Sequence, residues 1–228
     1  MNILNNLRSN LKSNLKDLAI APFQFIAIFL LLGISMLSLA HPAEAHHAMG
    51  GKIPTNIFEG IVTGLAHPVI GFDHLAFVVA VGLLATTIAQ GIWIPIAFVL
   101  SAMIGTGLHL VNISLPLVEL IVSASVLLFG VLLALQKHLN RSVIMILAAI
   151  AGLFHGYAYG EAIFGAQSQA LIAYLTGFTI MQLLISSIAF VVGKKLMKGN
   201  SQPAGLVVCG IGAALVVAQL SKLAFPNL

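Results

Sequence analysis

Histidines and carboxylates sit where an apolar chain has little use for them. His67, Asp73 and His74 fall within eight positions, in the run AHPVIGFDHLA. His155 and Glu161 repeat the six-residue spacing of His67 and Asp73, 88 positions further on. Glu119 follows Pro116 at the start of another apolar run, and His109 ends the run before it. Neutral imidazole together with carboxylate suits borderline divalent ions such as nickel, cobalt or zinc. Magnesium and calcium sites are nearly all oxygen, and copper(I) leans on sulfur. An ionised Asp73 would offset the charge of such a cation in a dry site.

Each group also has a plainer use. Asp73 suits a helix N-terminus, as does Glu119. His67 could bridge two helices through a hydrogen bond, and His109 fits the membrane interface. Taken together the plain uses weaken, because ionisable residues inside membrane segments are expensive and mark pathways or relays.

The spacing carries its own constraint. On one straight helix, six residues turn through about 600°, so His67 and Asp73 would face about 120° apart. They converge only if the helix breaks between them, where Pro68 and Gly71 stand. Gly156 and Gly160 occupy the matching interval between His155 and Glu161. Equal spacing twice hints at an internal repeat with broken helices, a feature of secondary transporters.

The elements that must position these residues are membrane helices. Sixty per cent of the chain is hydrophobic and 7% is charged, against about 25% charged in a soluble domain. Cys209 is the single cysteine, which excludes an internal disulfide and any CxxC metal site. No GxxxxGK[ST] motif occurs, so the chain carries no P-loop, and no ATPase subunit is evident. The net charge of +4 is not organised as a nucleic-acid footprint.

Arg8, Lys12 and Lys16 precede an apolar stretch over 18–39, followed by small residues at Ala40 and Ala45. That order predicts a signal peptide over 1–45, with an uncleaved anchor as the alternative, and a single transport domain over 46–228. Cleavage after Ala45 would expose His46 and His47 beside a free amino group, a candidate metal-capturing end.

Seven apolar segments follow, at 54–70, 73–90, 92–110, 116–135, 143–160, 170–192 and 204–224. Lys137, His138 and Arg141 fall between two of them, and Lys194, Lys195 and Lys198 between two others. Both loops lie on one side, which the positive-inside rule makes cytoplasmic. His67, Asp73, His74, His109, Glu119, His155 and Glu161 gather toward the other side. A segment 54–70 that crossed fully would put the mature N-terminus in the cytoplasm. The expected fold is therefore all-α, a polytopic bundle of six full crossings with 54–70 as a re-entrant or half helix. Trp93, Tyr157 and Tyr159 are expected at interfaces, and Gly105 and Gly107 where helices approach closely.

The motif His67-Pro68-x-x-Gly71-x-Asp73-His74, followed by Leu75-Ala76 and Val81-Gly82, resembles the signature of the HupE/UreJ family of nickel/cobalt permeases. Phe154-His155-Gly156-x-Ala158-x-Gly160-Glu161 and Pro116-x-x-Glu119, leading to Ser125 and Gly130, are similar to further blocks of that family. The resemblance implies a secondary permease in a bacterial inner membrane that takes up Ni²⁺ or Co²⁺ for metalloenzymes such as hydrogenase or urease. It implies His67, Asp73 and His74 as the core metal-interacting residues, joined by His155, Glu161 and Glu119. Where members of the family often carry a further histidine, this chain has Tyr159. The metal would be substrate rather than cofactor, the chain would not be an enzyme, and homo-oligomerisation is left open. Two other readings use the same residues. One is an intramembrane zinc hydrolase with Glu161 as general base; the other is a bis-histidine haem protein.

Overall fold

A computed structural model describes residues 52–135 and 140–225 of the chain. The signal peptide expected over 1–45, His46, His47 and His138 lie outside these residues. The described residues form seven α-helices and no strand: α1 Ile57–Ile70, α2 Phe72–Ala85, α3 Trp93–Leu110, α4 Val118–Leu135, α5 Arg141–Glu161, α6 Ser168–Leu196 and α7 Gln202–Ala224. The protein is a polytopic helical membrane bundle.

Local chemistry starts these helices. Asn56 caps α1 by accepting the Glu59 amide at 2.9 Å, and Glu59 reaches back to the Thr55 amide at 2.8 Å. Asn140 caps α5 through the Ser142 amide, and Pro203 occupies the first turn of α7.

Helices α3 to α7 are each long and apolar enough to cross a membrane. Helix α2 is not, because it ends at Ala85 after 14 residues rather than reaching the expected position 90. Instead α1 and α2 meet at a 77° bend and together pass as one broken span. Their packing shows how. Gly60 and Gly64 of α1 abut α6 at Ala170 and Tyr174, whereas Gly82 of α2 abuts it at Ser186. Both short helices thus run alongside α6 in its own direction, one after the other. The described residues hold five unbroken spans and one bent pair, α1 and α2, in keeping with the expected half helix at 54–70, while the segment expected over 73–90 ends at Ala85.

Small residues set the other contacts. A Cβ on Gly105 would collide with the Leu153 carbonyl and one on Gly156 with the Ala102 carbonyl, so α3 and α5 pack backbone to backbone. Gly130, Gly205 and Gly212 do the same for α4 and α7, while a Cβ on Gly107 would meet open space. The core between these pairs is apolar, centred on Phe77, Phe98, Phe129, Val81, Leu84 and Ile144. Arg141, Lys194, Lys195 and Lys198 mark one end of the bundle, where Arg141 also bonds Gln90 of the α2–α3 loop.

Candidate metal centre

The break between α1 and α2 is where the chemistry gathers. Helix α1 runs through Pro68 and stops at Gly71, whose φ of −70° and ψ of 102° are open to any residue. The glycine is needed for space. A Cβ there would lie 2.6 Å from His74 Cδ2 and 3.3 Å from Asp73 Oδ1. Across this break His67, Asp73 and His74 are all buried, with 2%, 6% and 3% of their surface exposed.

Asp73 sits in the first turn of α2, and its Oδ1 accepts the His74 amide at 2.8 Å. The capping use foreseen for Asp73 is therefore realised in part. The same Oδ1 lies 4.0 Å from His74 Nε2. That is too long for a hydrogen bond and just inside the ~4.2 Å that two metal–ligand bonds of about 2.1 Å can span.

Counting hydroxyl protons assigns the histidine tautomers. Ser125 on α4 donates its only proton to the Val122 carbonyl at 2.6 Å. Its oxygen, 2.9 Å from His155 Nε2, therefore accepts from that nitrogen. His155 Nδ1 is left as an acceptor, and His74 Nδ1 donates to it at 2.9 Å. The lone pair of His74 falls on Nε2, facing Asp73. The same count works for His67. Tyr174 on α6 gives its proton to the Tyr159 carbonyl at 3.0 Å, so its oxygen accepts from His67 Nδ1 at 3.1 Å. His67 too carries its lone pair on Nε2. Both imidazoles are held by their far nitrogen, as metal-ligating histidines are.

His155 has both ring nitrogens occupied by Ser125 and His74, and Phe77 stacks on its ring at 4.3 Å. It stands behind His74 and orients it. Tyr159 is fully buried, not interfacial as expected, with its ring 4.8 Å from that of His67 and 4.3 Å from that of His74. Among the described residues, no three His, Cys, Asp or Glu side chains stand ready-made around one metal position. The ring of Tyr159 lies against both candidate ligands.

Glu161 is not part of this cluster. Helix α5 is unbroken from Arg141 to Glu161, so the six-residue spacing turns Glu161 away from the face of His155, and it is exposed. The repeated spacing is not a repeated break. Glu119 is exposed in the first turn of α4, six residues and about 9 Å along the axis from Ser125. His109 is half-buried, with its ring 4.6 Å from Tyr157 and 5.7 Å from Phe164. Tyr174 was not foreseen as part of the site, and Ser125 only as part of a resembling block. Their partners are 107 and 30 positions away.

Comparison with known proteins gives the family. The family model described as "HupE / UreJ protein" matches residues 34–220. Protein HupE of Rhizobium leguminosarum bv. viciae is 33% identical over 189 residues, covering 80% of this chain and 95% of that protein. No solved structure matches.

Proposed function

The chain belongs to the HupE/UreJ family, and we propose that it is a secondary permease for uptake of a divalent transition metal, Ni²⁺ or Co²⁺, that supplies metalloenzymes. One observation carries the reading: at a break inside the chain's apolar helices, two buried imidazoles are each held through Nδ1, and the carboxylate of Asp73 lies 4.0 Å from Nε2 of His74. Neutral nitrogen with one carboxylate suits a borderline ion that must shed water to enter.

In this reading the basic end faces the cytoplasm and the mature N-terminus lies outside, in a bacterial inner membrane. Glu119 and Glu161, exposed at the opposite end, attract the hydrated cation to the mouth, with His46 and His47 as further collectors. The ion then exchanges water for His67, Asp73 and His74. The zinc hydrolase reading is less well supported, because its general base, Glu161, is exposed on another face from His155.

The test is radiolabelled nickel uptake in a nickel-starved host, with cobalt and zinc as competitors. Asp73→Asn and His74→Ala, inserted at normal levels, should abolish saturable uptake. Wild-type uptake from either variant would overturn the proposal. Labelling of single cysteines placed at 52 and 196 in a Cys209→Ser background tests the orientation, and equal accessibility would reject it.

A further inference from the structure

Helix α6 carries a buried amide that nothing among the described residues satisfies. Gln182 is the central residue of α6, 0% exposed, and neither its Oε1 nor its Nε2 has a hydrogen-bond partner. A polar group left unpaired inside a protein is destabilising, and a leucine would avoid that cost. An orphan of this kind calls for an explanation.

Its position supplies one. Since Gly82 abuts α6 at Ser186 and the two helices run in the same direction, one turn back puts Gln182 level with Val78 and Phe77. Phe77 packs on Phe98 and Phe129 with ring centroids 5.2 and 4.7 Å apart. These three rings form an apolar layer beneath His155, between the histidine cluster and the basic end. Gln182 stands at about the same depth along α6. Ser186, one turn further on, bonds the Gln182 carbonyl at 2.8 Å and is also buried. Beyond it, at the basic end, a cavity of about 560 Å³ lies between the α2–α3 loop and α6, lined by Thr86, Thr87, Gln90, Phe190 and Lys194. Lys194 turns its ammonium over the Phe190 ring at 4.5 Å.

We propose that the Gln182 carboxamide is a transit site for a partly hydrated divalent cation, on its way from the histidine cluster, past the depth of the phenylalanine layer, to the cavity at the basic end. This rests on the permease reading. A neutral amide suits the task. Its carbonyl binds a cation or one of its waters, yet holds it weakly enough to release, whereas a buried carboxylate would trap it.

The test separates passage from capture. Gln182→Leu and Gln182→Met are measured for uptake in cells, for Co²⁺ binding by the purified protein and for thermal stability. Both variants are expected to lose uptake by at least about tenfold, to bind Co²⁺ as the wild type does, and to unfold at the same temperature or higher. Uptake within about twofold of wild type in a folded variant overturns the inference. So does loss of Co²⁺ binding in step with uptake, or failure of both variants to fold, since either makes Gln182 a structural residue. A wild-type protein that takes up neither metal overturns the permease reading itself.

Discussion

His74 Nδ1 lies 2.9 Å from His155 Nδ1, so one histidine of the site is oriented by another, which in turn is oriented by Ser125. The relay ends at the Val122 carbonyl, a fixed backbone acceptor on α4. Three helices thus cooperate to turn one lone pair toward Asp73.

Ser125→Ala cuts that relay without touching the proposed ligands. Loss of an outer hydrogen bond of this type weakens metal binding by about 10- to 100-fold. The expected result is a raised half-saturation concentration for uptake with a maximal rate close to wild type. Concentration-dependent uptake of labelled nickel checks it, and equal loss of rate and affinity would place Ser125 in the passage step instead.

What could be read from sequence follows from where the information lies. Segment positions are legible because about 20 apolar residues are needed to cross hydrocarbon. The break is legible because Pro68 and Gly71 stand between residues that must converge. The sharing of one crossing by α1 and α2 is not, since it depends on both packing along α6 through Gly60, Gly64 and Gly82. Tyr174 and Ser125 are hidden for a similar reason: their partners are brought close only by helix packing. The spacing of His155 and Glu161 misleads because equal spacing does not impose equal geometry, and only the first pair has a break. Gln182 was legible as a polar residue amid an apolar segment, but its lack of partners was not.

Acidification should switch the site off. Histidines bind a metal only when neutral, so a proton on His67 or His74 removes a ligand. With the membrane potential clamped, uptake should fall as pH drops from about 7.5 toward about 6. Uptake that rises over this range would point to proton-driven entry in place of simple competition.

Gly71→Ala separates space from backbone freedom. The residue already has an ordinary φ of −70°, so alanine adds no dihedral strain. Its Cβ would lie 2.6 Å from His74 Cδ2 and must push the ring away. Uptake should fall strongly while the protein still inserts and folds. Gly107→Ala is the control, because a Cβ there meets nothing within 4 Å, and it should transport normally.

Tyr159 and Tyr174 face His67 together but use their hydroxyls differently, and removing each hydroxyl tells them apart. Tyr159 Oη is buried without a hydrogen-bond partner among the described residues, so Tyr159→Phe sheds an unsatisfied group. It should leave uptake intact and stabilise the detergent-solubilised protein by about 1 kcal/mol. Tyr174 Oη joins His67 Nδ1 to the Tyr159 carbonyl. Tyr174→Phe strands both buried partners, so it should destabilise by about 1–3 kcal/mol. It also frees His67 to place its proton on Nε2, the nitrogen that must meet the metal, so uptake should weaken. Thermal unfolding and uptake measured on both variants check the pair. If Tyr159→Phe loses transport and Tyr174→Phe keeps it, the proton assignment at His67 is wrong and Tyr159 is itself in contact with the ion.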